Sequence, residues 1–266
     1  MTVPEQRTRP VAEDLGTVLG VWAHPDDEAF LSAGLMAALS DSGHRVVVAT
    51  ATYGEQGTPD PDRNPAEQLA AIREQEMRTS LALVGVREHR WLGYRDGFCA
   101  DAADGEAAVA RLIDEIQPDT ILTFGPDGMT GHSDHQAVWA WTTAAWNSSG
   151  ARARLLYATL TPRYYAEWGE ISERLGIWMS SDRPVTPDDD LAVHLALTGT
   201  YLDRKIAALR AHVSQTTGLV TEVGPDVFRR WWSTEAFVAA VPEPAAAEPE
   251  PAAERAGVPL LAGGVR

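Results

Sequence analysis

The sequence predicts an α/β fold: a Rossmann-like, doubly wound, mainly parallel sheet with a smaller C-terminal α/β addition. Three observations lead there. Short apolar runs recur between residues 17 and 160, segments of helical spacing lie between them, and Gly or Pro stands at most changeovers. Parallel strands need a crossover of about a dozen residues or more, and the helical segments supply it.

The elements follow in order. Residues 17–23 are an almost unbroken apolar run, as a strand covered on both faces must be. Residues 28–42 have helical spacing and stop at Gly43, which suits a left-handed C-cap. Residues 45–52 form a valine-rich strand, 66–84 a helix stopping at Gly85, and 88–94 a third strand. A helix at 105–117 ends at Pro118, which cannot continue it. A fourth strand at 120–124 runs into the turn-rich Gly125-Pro126-Asp127-Gly128, then a helix at 134–146 and a strand at 154–160. Beyond 160 the rhythm is irregular. A helical stretch and a Pro/Asp-rich loop share 162–190, with a strand at 191–197, a helix at 200–213 and a closing strand at 233–240. Residues 1–15 read as a flexible polar lead-in and 16–240 as one domain. Residues 241–266 are a Pro/Ala/Glu-rich tail whose composition cannot offset the entropy of ordering.

Composition narrows the function classes. The 266 residues carry 22 basic and 38 acidic side chains, a net charge of −16. Nucleic acid and anionic membrane surfaces attract the opposite sign, so neither is expected as a partner. Cys99 is the only cysteine, which leaves no internal disulfide and no thiolate zinc site. No apolar run reaches the ~20 residues of a membrane span, and residues 4–9 are too polar for a signal peptide, so a cytoplasmic protein is expected.

Ligands of open α/β sheets bind beyond the carboxyl ends of the strands. The first predicted strand delivers His24-Pro25-Asp26-Asp27-Glu28 to that edge, and the fourth delivers Gly131-His132-Ser133-Asp134-His135. His and Asp side chains from two such loops suit a catalytic zinc, which commonly takes three protein ligands and keeps a position for water. The two adjacent aspartates allow one to bind metal while its neighbour serves the water as general base. His132 and His135, three apart at a helix start, can reach one side. Each segment alone reads equally well as a capped helix start. The pairing of both at one sheet edge is what favours a metal site.

Ala23-His24-Pro25-Asp26-Asp27-Glu28 together with Gly131-His132-Ser133-Asp134-His135 resembles the PIG-L/LmbE-like zinc-dependent N-acetylglucosaminyl deacetylases, over about residues 17–240. The second segment of that family normally reads His-Pro-Asp-His, so Ser133 is a departure. Further likenesses are Arg73 with Glu76, the stretch 92–97, and Lys205 followed by Ala211-His212-Val213-Ser214-Gln215. The resemblance implies one zinc per chain held by His24, Asp27 and His135, with Asp26 as general base. It implies that His132 stabilises the oxyanion or protonates the leaving amine, with Asp134 as its electrostatic partner. Arg73 and Asp96 match positions that contact the sugar. Mycothiol-type relatives have a tyrosine two residues before the first histidine of the second segment. Thr130 stands there, which turns the expectation away from a mycothiol-type amidase. The activity implied is removal of an acetyl or other acyl group from the amine of a small N-acylated sugar or conjugate.

Competing readings are a mycothiol S-conjugate amidase-like hydrolase, a two-metal phosphoesterase, for which the ligand count is small, and a non-catalytic member of the fold. Glu28 reads either as a carboxylate orienting a ligand or as a helix-start acid. His44, His89 and His194 read as turn or structural histidines, and His212 as either a site neighbour or a packing residue. The loop 54–65 is expected at the rim of the site. Tyr164, Tyr165 and Trp168 offer a face for a sugar or acyl chain, or for a second subunit in a homo-oligomer.

Overall fold

The computed structural model describes residues 15–58 and 60–242. The expected tail, beyond Pro242, and the lead-in, apart from Leu15, lie outside the described residues. Leu15 is itself buried in the core.

Seven strands form one sheet in the order β3-β2-β1-β4-β5-β7-β6. They are β1 (Val18–Trp22), β2 (Val46–Thr52), β3 (Glu88–Tyr94), β4 (Thr120–Phe124), β5 (Arg154–Thr159), β6 (Leu191–Ala196) and β7 (Thr234–Ala239). The first five are parallel. β7 pairs antiparallel with β5, and β6 pairs antiparallel with β7. The C-terminal addition therefore extends the same sheet. β1, β2 and β4 are buried at every position, matching apolar sequences interrupted only by threonine in β2 and β4.

The helices are α1 (Asp27–Asp41), α2 (Ala66–Leu83), α3 (Gly105–Ile116), the single turn α4 (Gly128–Gly131), α5 (Ser133–Ser148), α6 (Pro162–Arg174), α7 (Gly199–Ala211), α8 (Val213–Val223) and α9 (Pro225–Trp231). α1, α2 and α7 pack together, as do α3 and α5. The expected helix at 200–213 ends at Ala211, because His212 leaves helical geometry at φ −81°, ψ 61°. α8 and α9 then fill a stretch for which the sequence suggested no element.

Two features of this frame place the site. Chain order reverses between β1 and β4, which is the switch point of the sheet. The register sets Gly20 beside Leu122, so β1 and β4 end level, with Trp22 and Phe124 in edge contact at 5.1 Å. Behind α1, the buried pair Lys205–Glu235 enters the helix itself. Lys205 Nζ donates to Phe30 O at 2.7 Å, while Gly34 N and Leu35 N donate to the Glu235 carboxylate at 2.7 and 2.8 Å. These backbone groups would otherwise serve the helical ladder. The pair thereby fixes α1, whose first turn carries the site.

Candidate metal centre and active site

β1 ends at Trp22 and the chain turns sharply through His24-Pro25-Asp26 into α1. The His24 N–H donates to Asp27 Oδ2 at 2.7 Å, which locks the Asp27 carboxylate against the strand end. After β4, Asp127 accepts the Met129 N–H, and Met129 is held at φ 62°. That turn aims the Gly128 carbonyl at His135, whose Nδ1 donates to it at 2.9 Å. The His135 ring also stacks on Phe124, 4.1 Å between centroids and 11° from parallel.

These constraints decide which atoms face each other. His135 spends Nδ1 on a carbonyl, so its Nε2 presents a lone pair. His24 turns Nε2 to Asp134 Oδ2 and Asp96 Oδ1, both at 3.2 Å, so its Nδ1 is left for the site. His24 Nδ1 and His135 Nε2 lie 3.1 Å apart; Asp27 approaches them at 3.6 Å (Oδ2) and 3.3 Å (Oδ1) respectively. Tetrahedral zinc with bonds of about 2.0–2.1 Å separates its ligand atoms by roughly 3.3 Å. The triangle therefore fits such an ion, and carboxylate contacts behind a ligating imidazole are the usual support for one. Burial opposes charge on His24, but the Asp134 and Asp96 hydrogen bonds and the Asp27 charge outweigh it and raise its pKa to about 10. Burial and the charges of His24 and His132 hold His135 well below the ordinary histidine value.

Asp26 stands beside this triangle. Its backbone adopts φ 121° and ψ −25°, a region that L-residues rarely enter. The conformation is over-determined. The Asp26 N–H donates to Glu28 Oε2 at 3.0 Å, and Arg73 donates to the Pro25 carbonyl while its guanidinium lies 3.4 Å from Asp26 Oδ2. Burial raises the Asp26 carboxyl, partly offset by Arg73, to about 6. Glu28 is wholly buried and also meets His212 Nε2 at 3.2 Å and the Ser80 hydroxyl at 3.3 Å. His212 is wholly buried too, and acts from behind the Asp26 turn, outside the cavity lining.

His132 is the N-cap of α5, accepting the Asp134 N–H on Nδ1 at 3.1 Å. Burial and the neighbouring His24 charge lower its pKa, which favours the neutral ring. With Nδ1 accepting, the ring proton resides on Nε2. His132 joins His24 and His135 in one three-nitrogen cluster, and its ring meets that of His24 edge-on at 4.7 Å.

The structure gives three further expected site residues these surroundings. The Asp134 carboxylate faces His24, away from its expected partner His132, and accepts the Gly97 and Cys99 N–H groups at 2.7 and 3.0 Å. Burial opposes its ionisation, but those bonds outweigh it and hold it at about 2. Arg73 lines the cavity yet is only 3% exposed, with its terminal nitrogens on Gly54 O and Pro25 O. Asp96 lines it too, but is bound to His24 and to the Gln56 N–H. Both look inward to the loops that carry the reactive groups. The 54–57 loop does form the rim: Gln56 and Gly57 line the cavity. Thr130 lines it as well, with its hydroxyl 3.4 Å from His135 Nδ1.

The family described as PIG-L, GlcNAc-PI de-N-acetylase, matches residues 19–146, which span both loops of the site. A 1D-myo-inositol 2-acetamido-2-deoxy-alpha-D-glucopyranoside deacetylase of Saccharomonospora viridis is 32% identical over 241 residues, covering 79% of this chain and 87% of its own. This chain belongs to the PIG-L family. As a family member it is an amide hydrolase. Among solved structures, N,N'-diacetylchitobiose deacetylase from Pyrococcus horikoshii superposes with a TM-score of 0.63 at 22% identity, covering 89% of this chain and 91% of its own. GalB, a 4-carboxy-2-hydroxymuconate hydratase from Pseudomonas putida, superposes at 0.57 with 16% identity, over 86% of this chain and 98% of its own. The PIG-L fold thus also carries a different reaction, and the site has to argue the chemistry. No helix among the described residues is long and apolar enough to cross a membrane.

Proposed function

We propose that this chain is a zinc-dependent N-deacylase that removes an acetyl or related acyl group from the amine of an N-acylated sugar or sugar conjugate. The observation that carries the reading is the triangle of His24 Nδ1, Asp27 and His135 Nε2, with the Asp26 carboxylate beside it at the switch point. The Saccharomonospora viridis and Pyrococcus horikoshii relatives are both named as deacetylases of acetamido sugars, which supports the substrate class.

His24, Asp27 and His135 would hold the metal. When bound, zinc supplies a Lewis acid for the amide carbonyl and lowers the pKa of water. Asp26 takes a proton as the water oxygen adds to the carbonyl carbon. His132, with its proton on Nε2, donates to the oxygen on which charge develops, a contribution typically worth a few kcal/mol per donor. The C–N bond then breaks, and the nitrogen takes the proton held by Asp26 or His132. The products are a carboxylate and a free amine. Arg73 and Glu28 keep the Asp26 turn in place, while Asp134 and Asp96 keep His24 facing the metal.

The test is acetate and amine release across a panel of N-acetylglucosaminides, with zinc-loaded and chelated protein. Release that needs the metal is expected. Zinc-loaded protein that releases neither product from any panel member would overturn the reading.

A further inference from the structure

The cavity at the site measures about 570 Å³, and its wall changes character along the sheet edge. On the β2/β3 side the lining is Gln56, Arg73, Asp96, Gln215 and Leu219, polar but for the last, with Arg73 and Asp96 already bound to the loops behind them. The metal triangle stands in the middle, at the ends of β1 and β4. On the far side, toward β5 and β7, the lining is Leu31, Met129, Leu160, Tyr164, Trp178 and Trp232. Five of these six, with Trp178 the exception, also line an adjoining recess of only about 20 Å³ that ends at Ala236 of β7, so the room for a chain is in the main cavity along this wall.

Of the four polar side chains at that tip, Thr159, Thr161, Thr234 and Glu235, all but Thr234 are engaged. The Thr159 hydroxyl donates to Pro184 O, and the Thr161 hydroxyl accepts the Tyr164 N–H. The Glu235 carboxylate is bound by Lys205 and by two N–H groups of α1. A hydroxyl-rich group pushed into this half would meet only the Trp178 and Trp232 N–H groups, which are buried and without partners among the described residues, so most of its hydroxyls would leave water uncompensated, which is unfavourable. A hydrocarbon group would gain from the same burial.

We infer that this half of the cavity is an acyl subsite, and that the substrate is an N-acyl sugar whose acyl group is a hydrocarbon chain longer than acetyl. The inference rests on the N-deacylase reading above. With the amide carbon at the metal, the sugar amine lies on the polar β2/β3 side and the acyl chain runs toward β5 and β7. An acetyl methyl would cover little of that wall. The reaction stays a simple hydrolysis. The water oxygen bonds to the acyl carbon, the C–N bond breaks and the nitrogen takes a proton. A medium-chain fatty carboxylate and a glucosamine-type amine leave, with no change of oxidation state.

Each methylene that enters an apolar wall is worth about fourfold in kcat/KM. The test is a series of N-acyl glucosamines from acetyl through butanoyl and hexanoyl to octanoyl and decanoyl, assayed by amine release with the zinc-loaded protein. A second series keeps acetyl and compares the methyl and octyl β-glycosides of N-acetylglucosamine. A third measurement titrates octanoate and acetate by tryptophan fluorescence, since Trp178 and Trp232 line the subsite. Expected are a rise of about thirtyfold or more from acetyl to octanoyl, the worth of two to three of the six added methylenes entering the wall, little response to the glycoside, and tighter binding of octanoate than acetate. Leu31→Trp, which fills the mouth of the recess, should lower the octanoyl-to-acetyl ratio about tenfold. A flat acyl series overturns the inference while leaving the deacylase reading standing. So does a rise confined to the octyl glycoside, which would give the apolar wall to the leaving group. If no amide is cleaved at all, the deacylase reading fails instead. The carboxylate titration then still decides the subsite, and equal binding of octanoate and acetate overturns it.

Discussion

Asp26 is held at φ 121°, and the bonds that hold it come from Glu28 on its own turn and Arg73 on α2. Strain of that kind persists only where the surroundings insist on it, and here it sets a carboxylate beside a metal triangle. Its neighbour Asp27 points the other way, pinned by the His24 N–H. On the proposed reading the two adjacent aspartates take different duties, and the difference is measurable. Asp26→Asn should keep its zinc and lose about 100-fold to 10,000-fold in kcat, the usual worth of a positioned general base. Asp27→Asn should lose the zinc itself. Metal analysis beside kcat separates the two, and equal metal loss in both variants would end the division of labour. Asp134→Asn acts one step further out. Its carboxylate orients His24, so zinc affinity should fall about 10- to 100-fold in a competitive-chelator titration. An unchanged affinity would mean that Asp96 alone suffices to hold the ring. The candidate donors were legible in sequence because they cluster in two short segments. Their supports were not: His212 and Glu28 meet across 184 positions and Asp134 and His24 across 110, and no local spacing encodes either pair.

At the level of elements, α1 matters because it carries Asp27 and Glu28 in its first turn and Phe30 and Leu31 on the cavity wall. Its geometry depends on Lys205 of α7 and Glu235 of β7, both with no side-chain exposure, which serve backbone groups in the middle of the helix. Removing one partner leaves a buried charge without its counterpart. Lys205→Met should therefore cost about 3–5 kcal/mol in denaturant unfolding, and the double change Lys205→Met/Glu235→Leu should cost less than the sum of the single changes. Additive losses would show that the pair is not a unit. The elements that sequence patterning recovers are those with a clean signal, such as the largely apolar β1, β2 and β4 and the Gly- or Pro-punctuated helices between them. α8 was missed because only His212 separates it from α7 and its Thr217-Gly218 centre and Val/Thr content argue against a helix. Its buried Thr216 hydroxyl, which donates to Leu209 O and His212 O, shows tertiary packing overriding that propensity.

Across the whole molecule, the metal would tie together the two halves of the sheet. His24 and Asp27 belong to the β1 end and His135 to the helix that follows β4, so one ion spans the switch point where the two halves diverge. This placement was readable from the alternation of strands and helices, since ligands gather at such points. The insertion of β7 between β5 and β6 was not, because nothing in either strand's sequence states its partner. The tie has a thermodynamic consequence. A ligand that binds only the folded chain stabilises it by mass action, about 2.7 kcal/mol when free metal exceeds its Kd by 100-fold. For a domain of this size that corresponds to a rise in Tm of roughly 5–10 °C. The increment should depend on pH, because the ion and a proton compete for His24 Nδ1, and the Asp134 and Asp96 carboxylates that would strengthen the metal bond also hold the proton. As pH falls, the small fraction of metal-free protein with an unprotonated His24 Nδ1 shrinks further, metal affinity drops and the increment shrinks. Thermal unfolding with zinc and with chelator, from mildly alkaline to mildly acidic pH, measures it directly. An increment that stayed constant or grew on acidification would mean that the metal is held by groups other than His24, Asp27 and His135.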